Sequence, residues 1–260
     1  MFFRFKISLF FFICVNVMAQ ERKLPSNSDF KPPPGTIYVN DSLYIDFKPV
    51  DHLMYSEFLS SIKDFWSEDL HDSIDDFPRF DLEDYSELSQ SISPKNASAL
   101  LNTARLDVNY KIDKKTWLGD IFNNAYYYYN PIVSISKNQA ALFCKWRSDL
   151  VLLNYASSSK TKAERANFPF KVKYRLPTNT EMRKIYRSFS NSKNLYVINK
   201  EPPIKFESQS DENYPPGNLI FYRIKEITLE NKSFTPYNFS KDQDSLHTGF
   251  RCICEILSDN

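Results

Sequence analysis

Apolar residues recur along this chain with two periods, and together they predict short strands and three helices. Residues 36–39 and 42–47 are dense in aromatic and aliphatic side chains and flank Asn40-Asp41. This pattern predicts two short strands joined by a hairpin turn. Asp51 then stands in an N-cap position, and Met54, Phe58, Ile62 and Phe65 follow at near-helical spacing, which gives a helix one apolar face. Ser136-Lys137-Asn138-Gln139 and Thr178-Asn179-Thr180-Glu181 are capping boxes. In each, the hydroxyl accepts from the amide three residues on, and the Gln or Glu side chain reaches back. The first box opens a helix with Ala140, Phe143, Cys144 and Val151 on one face; the second, just after Pro177, opens one with Met182, Ile185, Tyr186 and Phe189. Residues 219–224 and 250–256 predict strands, and the polar stretches 155–168 and 190–217 predict loops. No internal repeat appears. The expected class is α+β, with short strands, about three helices and much irregular backbone.

The chain begins with a different pattern. Arg4 and Lys6 precede an almost unbroken apolar run over residues 7–17, and Val17-Met18-Ala19 offers small residues where a signal peptidase cuts. Residues 1–19 therefore read as a secretory signal. The run is shorter than the ~20 residues a membrane span needs, and no later stretch is longer. Phe11-Phe12-Ile13 before Cys14 lacks the small residues of a lipid-attachment box. The expected destination is the periplasm, the outer-membrane surface or the exterior. Residues 20–34 end in Pro32-Pro33-Pro34 and read as an extended leader, so the folded domain is expected over 35–257.

Composition narrows the function. The 260 residues carry 33 Lys plus Arg against 32 Asp plus Glu, which excludes the basic field of a nucleic-acid coat. Four glycines, none spaced G-x-G, exclude the usual phosphate-cradling loops. Charge is nonetheless segregated. An insertion over 63–115 opens with ten acidic residues and one basic between 64 and 87, whereas ten basic and three acidic residues lie between Lys145 and Lys184. The acidic run lacks the D-x-D-x-D-G order of an EF-hand and reads as a solvated excursion. Tyr126 to Tyr129 reads as a sheet margin. His52, His71 and His247 are scattered, and no H-E-x-x-H, C-x-x-C or G-x-S-x-G occurs. No catalytic residue, metal ligand set or cofactor is expected.

Export permits disulfides. Of the four cysteines, Cys14 leaves with the signal, and Cys144, Cys252 and Cys254 remain. One bridge is possible and one thiol is left over. Cys252 and Cys254, two apart on a strand, would sit at the outer limit for bridging each other, so the expected bond joins Cys144 to one of them.

Four segments in order resemble the family of formylglycine-generating, sulfatase-modifying enzymes. They are Pro34-Gly35-Thr36-Ile37 with Tyr44-Ile45-Asp46 and Tyr55-Ser56-Glu57-Phe58-Leu59; Asn130-Pro131-Ile132-Val133 through Ser136 to Ala140-Ala141-Leu142-Phe143-Cys144-Lys145-Trp146; Tyr174-Arg175-Leu176-Pro177-Thr178 with Glu181; and Thr248-Gly249-Phe250-Arg251-Cys252. The resemblance implies a C-type-lectin-like fold and a Cys144–Cys252 disulfide, with Cys254 as a free thiol. It also marks a loss. The family's reactive cysteine pair, which handles copper and oxygen, lies before the closing G-F-R-C, yet residues 231–249 contain no cysteine. The acidic insertion and the Cys144-Lys145-Trp146-Arg147-Ser148-Asp149 continuation are similar to a non-catalytic branch, the gliding-motility and type IX secretion lipoproteins. The expected function is that of a non-catalytic structural or interaction component among envelope proteins. The alternatives are an enzyme of altered chemistry and a lectin-like binding module.

Overall fold

The structure is a computed structural model, and it describes residues 31–40, 42–65, 129–159, 161–169, 171–200, 202, 217–230, 232–237 and 247–257. The signal 1–19, most of the leader, the acidic run 66–87 and Tyr126 to Tyr128 lie outside the described residues. Among those described, the fold is mixed α+β, with four helices and three small sheets.

Strands β1 (Thr36–Asn40) and β2 (Leu43–Asp46) pair antiparallel, as the Asn40-Asp41 turn predicts. The chain closes the same sheet with β9 (Ile253–Leu257), which lies between β2 and β3 (Lys171–Arg175) in the order β1-β2-β9-β3. Alternation along these strands sends side chains to two cores. Tyr44, Cys254, Val172 and Tyr174 face one cluster with the helices α1 (His52–Phe65) and α2 (Lys137–Ser157). Ile45 and Ile253 face a second cluster with Met182, Ile185 and Phe189 of α4 (Asn179–Asn191). In the first cluster Phe143 is the hub. Its ring lies 5.8 Å from Tyr55, 5.5 Å from Phe58, 5.4 Å from Trp146 and 5.4 Å from Phe250. Such pairs add about 0.5–1.5 kcal/mol each beyond area burial.

Both capping boxes form as their sequences predict, with the reciprocal bonds of Ser136 and Gln139, and of Thr178 and Glu181. Asp51 caps α1 by accepting from the Met54 amide at 2.8 Å. Edge strand β3 is stitched to α2 by Ser148, whose Oγ accepts from the Tyr174 amide at 2.8 Å.

Several boundaries differ from the sequence reading. Within the expected loop 155–168, α2 runs on to Ser157 and a single turn, α3 (Lys162–Arg165), follows. Within the expected loop 190–217, β4 (Leu195–Ile198) pairs in parallel with β5 (Leu219–Tyr222). The strand expected over 219–224 stops at Tyr222, because the Ile224 amide turns back to the Tyr222 carbonyl at 2.8 Å. Strand β6 (Lys225–Ile227) then joins β7 (Ser233–Phe234) and β8 (Thr248–Gly249) in the third sheet. The strand expected over 250–256 begins only at Ile253. The Cys252 amide is taken out of the ladder by the Asp46 carboxylate, whose Oδ2 accepts it at 2.8 Å.

Gly249 sits where no side chain fits. A Cβ there would lie 2.7 Å from the Ile132 carbonyl oxygen and 2.8 Å from Ile224 Cδ1. Gly249→Ala is expected to cost about 1–3 kcal/mol through forced displacement of packed backbone, and a urea melt matching wild type would contradict this.

His52 is buried at the start of α1, and burial lowers its pKa to about 4. The unfolded chain takes up this proton near the ordinary value of about 6.5, so between those pH values it binds more protons than the folded one. Stability from His52 is full above the upper value and is lost as pH falls toward the lower, by about 3 kcal/mol. Glu57 acts oppositely. Burial, with Asp51 beside it, pushes its carboxyl from the ordinary 4.5 up to about 7, so its contribution is full below the lower value and is lost as pH rises toward the upper. His52→Gln isolates the first effect. Wild type should lose about 3 kcal/mol more than the variant on acidification from neutral pH to the folded-state pKa; parallel curves would contradict the assignment.

Candidate functional site

Three constellations hold the chemistry-bearing side chains. The first contains the cysteines. All three of Cys144, Cys252 and Cys254 are buried free thiols in the structure, and Cys144 Sγ lies 3.0 Å from Cys252 Sγ. Cys144 reaches this point from the inward face of α2, and Cys252 from the irregular stretch before β9. Cys254 lies opposite Tyr44 and Tyr174 in the sheet. Burial pushes its thiol up to about 12. Burial also raises Cys252 well above its ordinary value, with the Cys144 contact adding to this. A thiol kept protonated and away from solvent is a poor nucleophile and a poor metal ligand.

The second constellation is a pair of buried arginine clamps around Asp46, which sequence reasoning missed. Arg147 Nη1 donates to Asp46 Oδ2 at 2.8 Å, its Nη2 donates to the Pro34 carbonyl at 3.0 Å, and its guanidinium lies 4.5 Å from the Tyr174 ring centre. Burial raises the Asp46 carboxyl above the usual range, against the pull of Arg147 and the Cys252 amide. Burial alone would lower Arg147, but the Asp46 carboxylate outweighs it and holds the guanidinium above its ordinary value. Arg251 is deeper still. Its Nε and Nη2 fork onto Glu226 at 2.5 and 2.7 Å, Nη2 also donates to the Ile220 carbonyl at 2.7 Å, and Nη1 donates to the Asp46 carbonyl at 3.1 Å. Both members of this ion pair are 0% exposed, and Phe221 covers the guanidinium at 4.2 Å. Arg175 makes a third, half-buried fork. It grips both Glu181 oxygens at 2.7 and 3.0 Å and also bonds Glu255, tying β3, β9 and the start of α4 together. The three arginines are held by protein carboxylates and carbonyls, so they position backbone and offer little to a ligand; buried Asp46 Oδ1 has no hydrogen-bond partner among the described residues.

The third constellation is open. Between α4 and β7 runs a groove of about 330 Å³, lined by Asn179, Arg183, Tyr186, Arg187, Ser233, Phe234, Thr235 and Tyr237. Tyr186 packs on Phe221 at 5.2 Å and on Phe234 at 5.8 Å, so the floor continues the second core. Tyr237 is 80% exposed. The sequence reading missed both the arginine pair on the polar face of α4 and the strand facing it; the signal for the pair was the four-residue spacing of Arg183 and Arg187.

Among the described residues, no three His, Cys, Asp or Glu side chains converge as metal ligands would, and no helix is long and apolar enough to cross a membrane. Compared with protein-family models, curated proteins and solved structures, the chain matches none.

Proposed function

We propose that this chain is an exported, non-catalytic relative of the sulfatase-modifying enzymes, on a C-type-lectin-like fold, and that it serves as a structural or interaction component of the cell envelope, in gliding motility or protein secretion. The observation that carries this reading is the fate of the thiols. Every cysteine after the signal is buried; Cys254 is held protonated, and the sulfurs of Cys144 and Cys252 face each other at 3.0 Å. Copper-assisted oxidation of a substrate thiol requires accessible, ionisable enzyme thiols. The segments that carry the family resemblance are spent on architecture here: Glu181 caps α4 and grips Arg175, and Arg251 is sealed onto Glu226.

The purified chain, given a cysteine-containing sulfatase peptide with copper and oxygen, should leave the peptide mass unchanged; formylglycine in the product would overturn the reading. Fractionated producing cells should hold the chain, without residues 1–19, in the envelope or medium. Recovery of the uncleaved chain in the cytoplasm would overturn the export claim.

A further inference from the structure

We propose that the groove between α4 and β7 docks an extended acidic peptide segment of a partner protein, one with acidic residues two apart and an aromatic residue nearby. This rests on the interaction reading and names the chemistry of the partner. Arg183 and Arg187 are one helical turn apart and exposed, which places them ~6 Å apart along the axis of α4. Neither has a carboxylate partner among the described residues. Two acidic groups at the start of α4 are already committed. Glu181 is held by Arg175 and the Thr178 amide, and Glu230 Oε2 accepts from the Asn179 amide at 2.8 Å. Alternate residues of an extended strand project to one side at ~6.6 Å spacing, so two carboxylates of such a peptide meet the two guanidinium groups in register. Arg–carboxylate forks are charge-assisted and directional. From Asn179 to Arg187 the groove follows α4 for ~12 Å, the length of about four extended residues. That is too long for a single small anion to use. Tyr186 between the arginines on α4, with Phe234 and exposed Tyr237 across from them, supplies aromatic surface, and Ser233 on edge strand β7 and the following Thr235 supply polar groups. Tyrosine and arginine over a rigid apolar floor is the composition that dominates protein–protein hot spots.

The test uses the exported chain and a labelled synthetic peptide alternating glutamate and phenylalanine, read by fluorescence anisotropy at low salt. Wild type should bind it. R183E and R187E should each weaken binding about tenfold, the equivalent of one lost charge-assisted contact. R183K should retain part of the affinity, and K184E, outside the groove, should change little. The same peptide with its glutamates adjacent rather than alternating should bind about tenfold more weakly. All variants should melt as wild type, since these positions are exposed. No binding by wild type, an equal loss in K184E, or preference for a uronic-acid oligosaccharide over the peptide would each overturn the proposal. Retention of envelope cross-links by the R183E/R187E double variant would also overturn this docking site while leaving the interaction function standing. Absence of such cross-links from wild type counts against that function itself.

Discussion

Arg251→Met should cost about 3–5 kcal/mol, the largest single loss in the fold. The substitution keeps much of the side-chain volume but strands the Glu226 carboxylate, which is 0% exposed, with no cation to balance it. It also removes the donors to the Ile220 and Asp46 carbonyls, the second of which ties the closing segment back to β2. A buried charge without its partner is penalised far more than the intact pair is rewarded. Arg251→Met combined with Glu226→Gln should therefore recover a good part of the loss, although each change removes polar contacts. Arg251→Lys keeps the charge but cannot fork, so it should fall between the two. Urea unfolding of the single and double variants closes a mutant cycle. A single variant as stable as wild type, or strictly additive losses, would contradict the role of this pair.

Under oxidising conditions Cys144→Ser should cost about 2–4 kcal/mol, and reducing the wild-type chain should cost a similar amount. The two sulfurs already lie 3.0 Å apart at the centre of the larger core, so bond formation asks little rearrangement. The two cysteines are separated by 108 positions, a loop long enough that closing it would restrict the unfolded chain strongly. Cys254→Ala should cost about 1 kcal/mol, the loss of one buried heavy atom. Cys254→Ser is a less clean control, because it buries a hydroxyl between Tyr44 and Tyr174. Alkylation of the unfolded, unreduced chain should mark Cys254 alone. Equal losses in Cys144→Ser and Cys254→Ala, or three marked thiols, would contradict this pairing.

What the sequence made legible was local. Capping boxes are written within four residues, and both formed where they were read; the strands on either side of Asn40-Asp41 pair as expected, while Asp41 itself lies outside the described residues. The apolar faces of α2 and α4 followed from helical spacing. Strand β3, by contrast, is Lys-Val-Lys-Tyr-Arg: its alternation is correct but too short and too charged to separate from loop, and pairing with β9 decides it. Strands β6, β7 and β8 span two or three residues each, so they carry no period at all and exist only through long-range partners. The clamps were hidden for the same reason. Nothing near Arg251 in the chain identifies Glu226 as its counterion, and a lone arginine in an apolar run reads equally as a surface residue. The groove was not read from the sequence at all. Arg183 and Arg187 mark the basic face of α4, but the aromatic wall opposite comes from residues some fifty positions later.

The central proposal is that this chain is exported and works by contact with envelope proteins rather than by catalysis. Chemical cross-linking in the cells that produce it, followed by capture of the tagged chain and mass spectrometry of what is covalently joined, tests this most directly. The account predicts defined cross-links to proteins of a motility or secretion assembly, mapping to described surface positions of this chain. Capture of the chain with no envelope protein joined to it, together with turnover of a cysteine peptide by the purified protein, would contradict it.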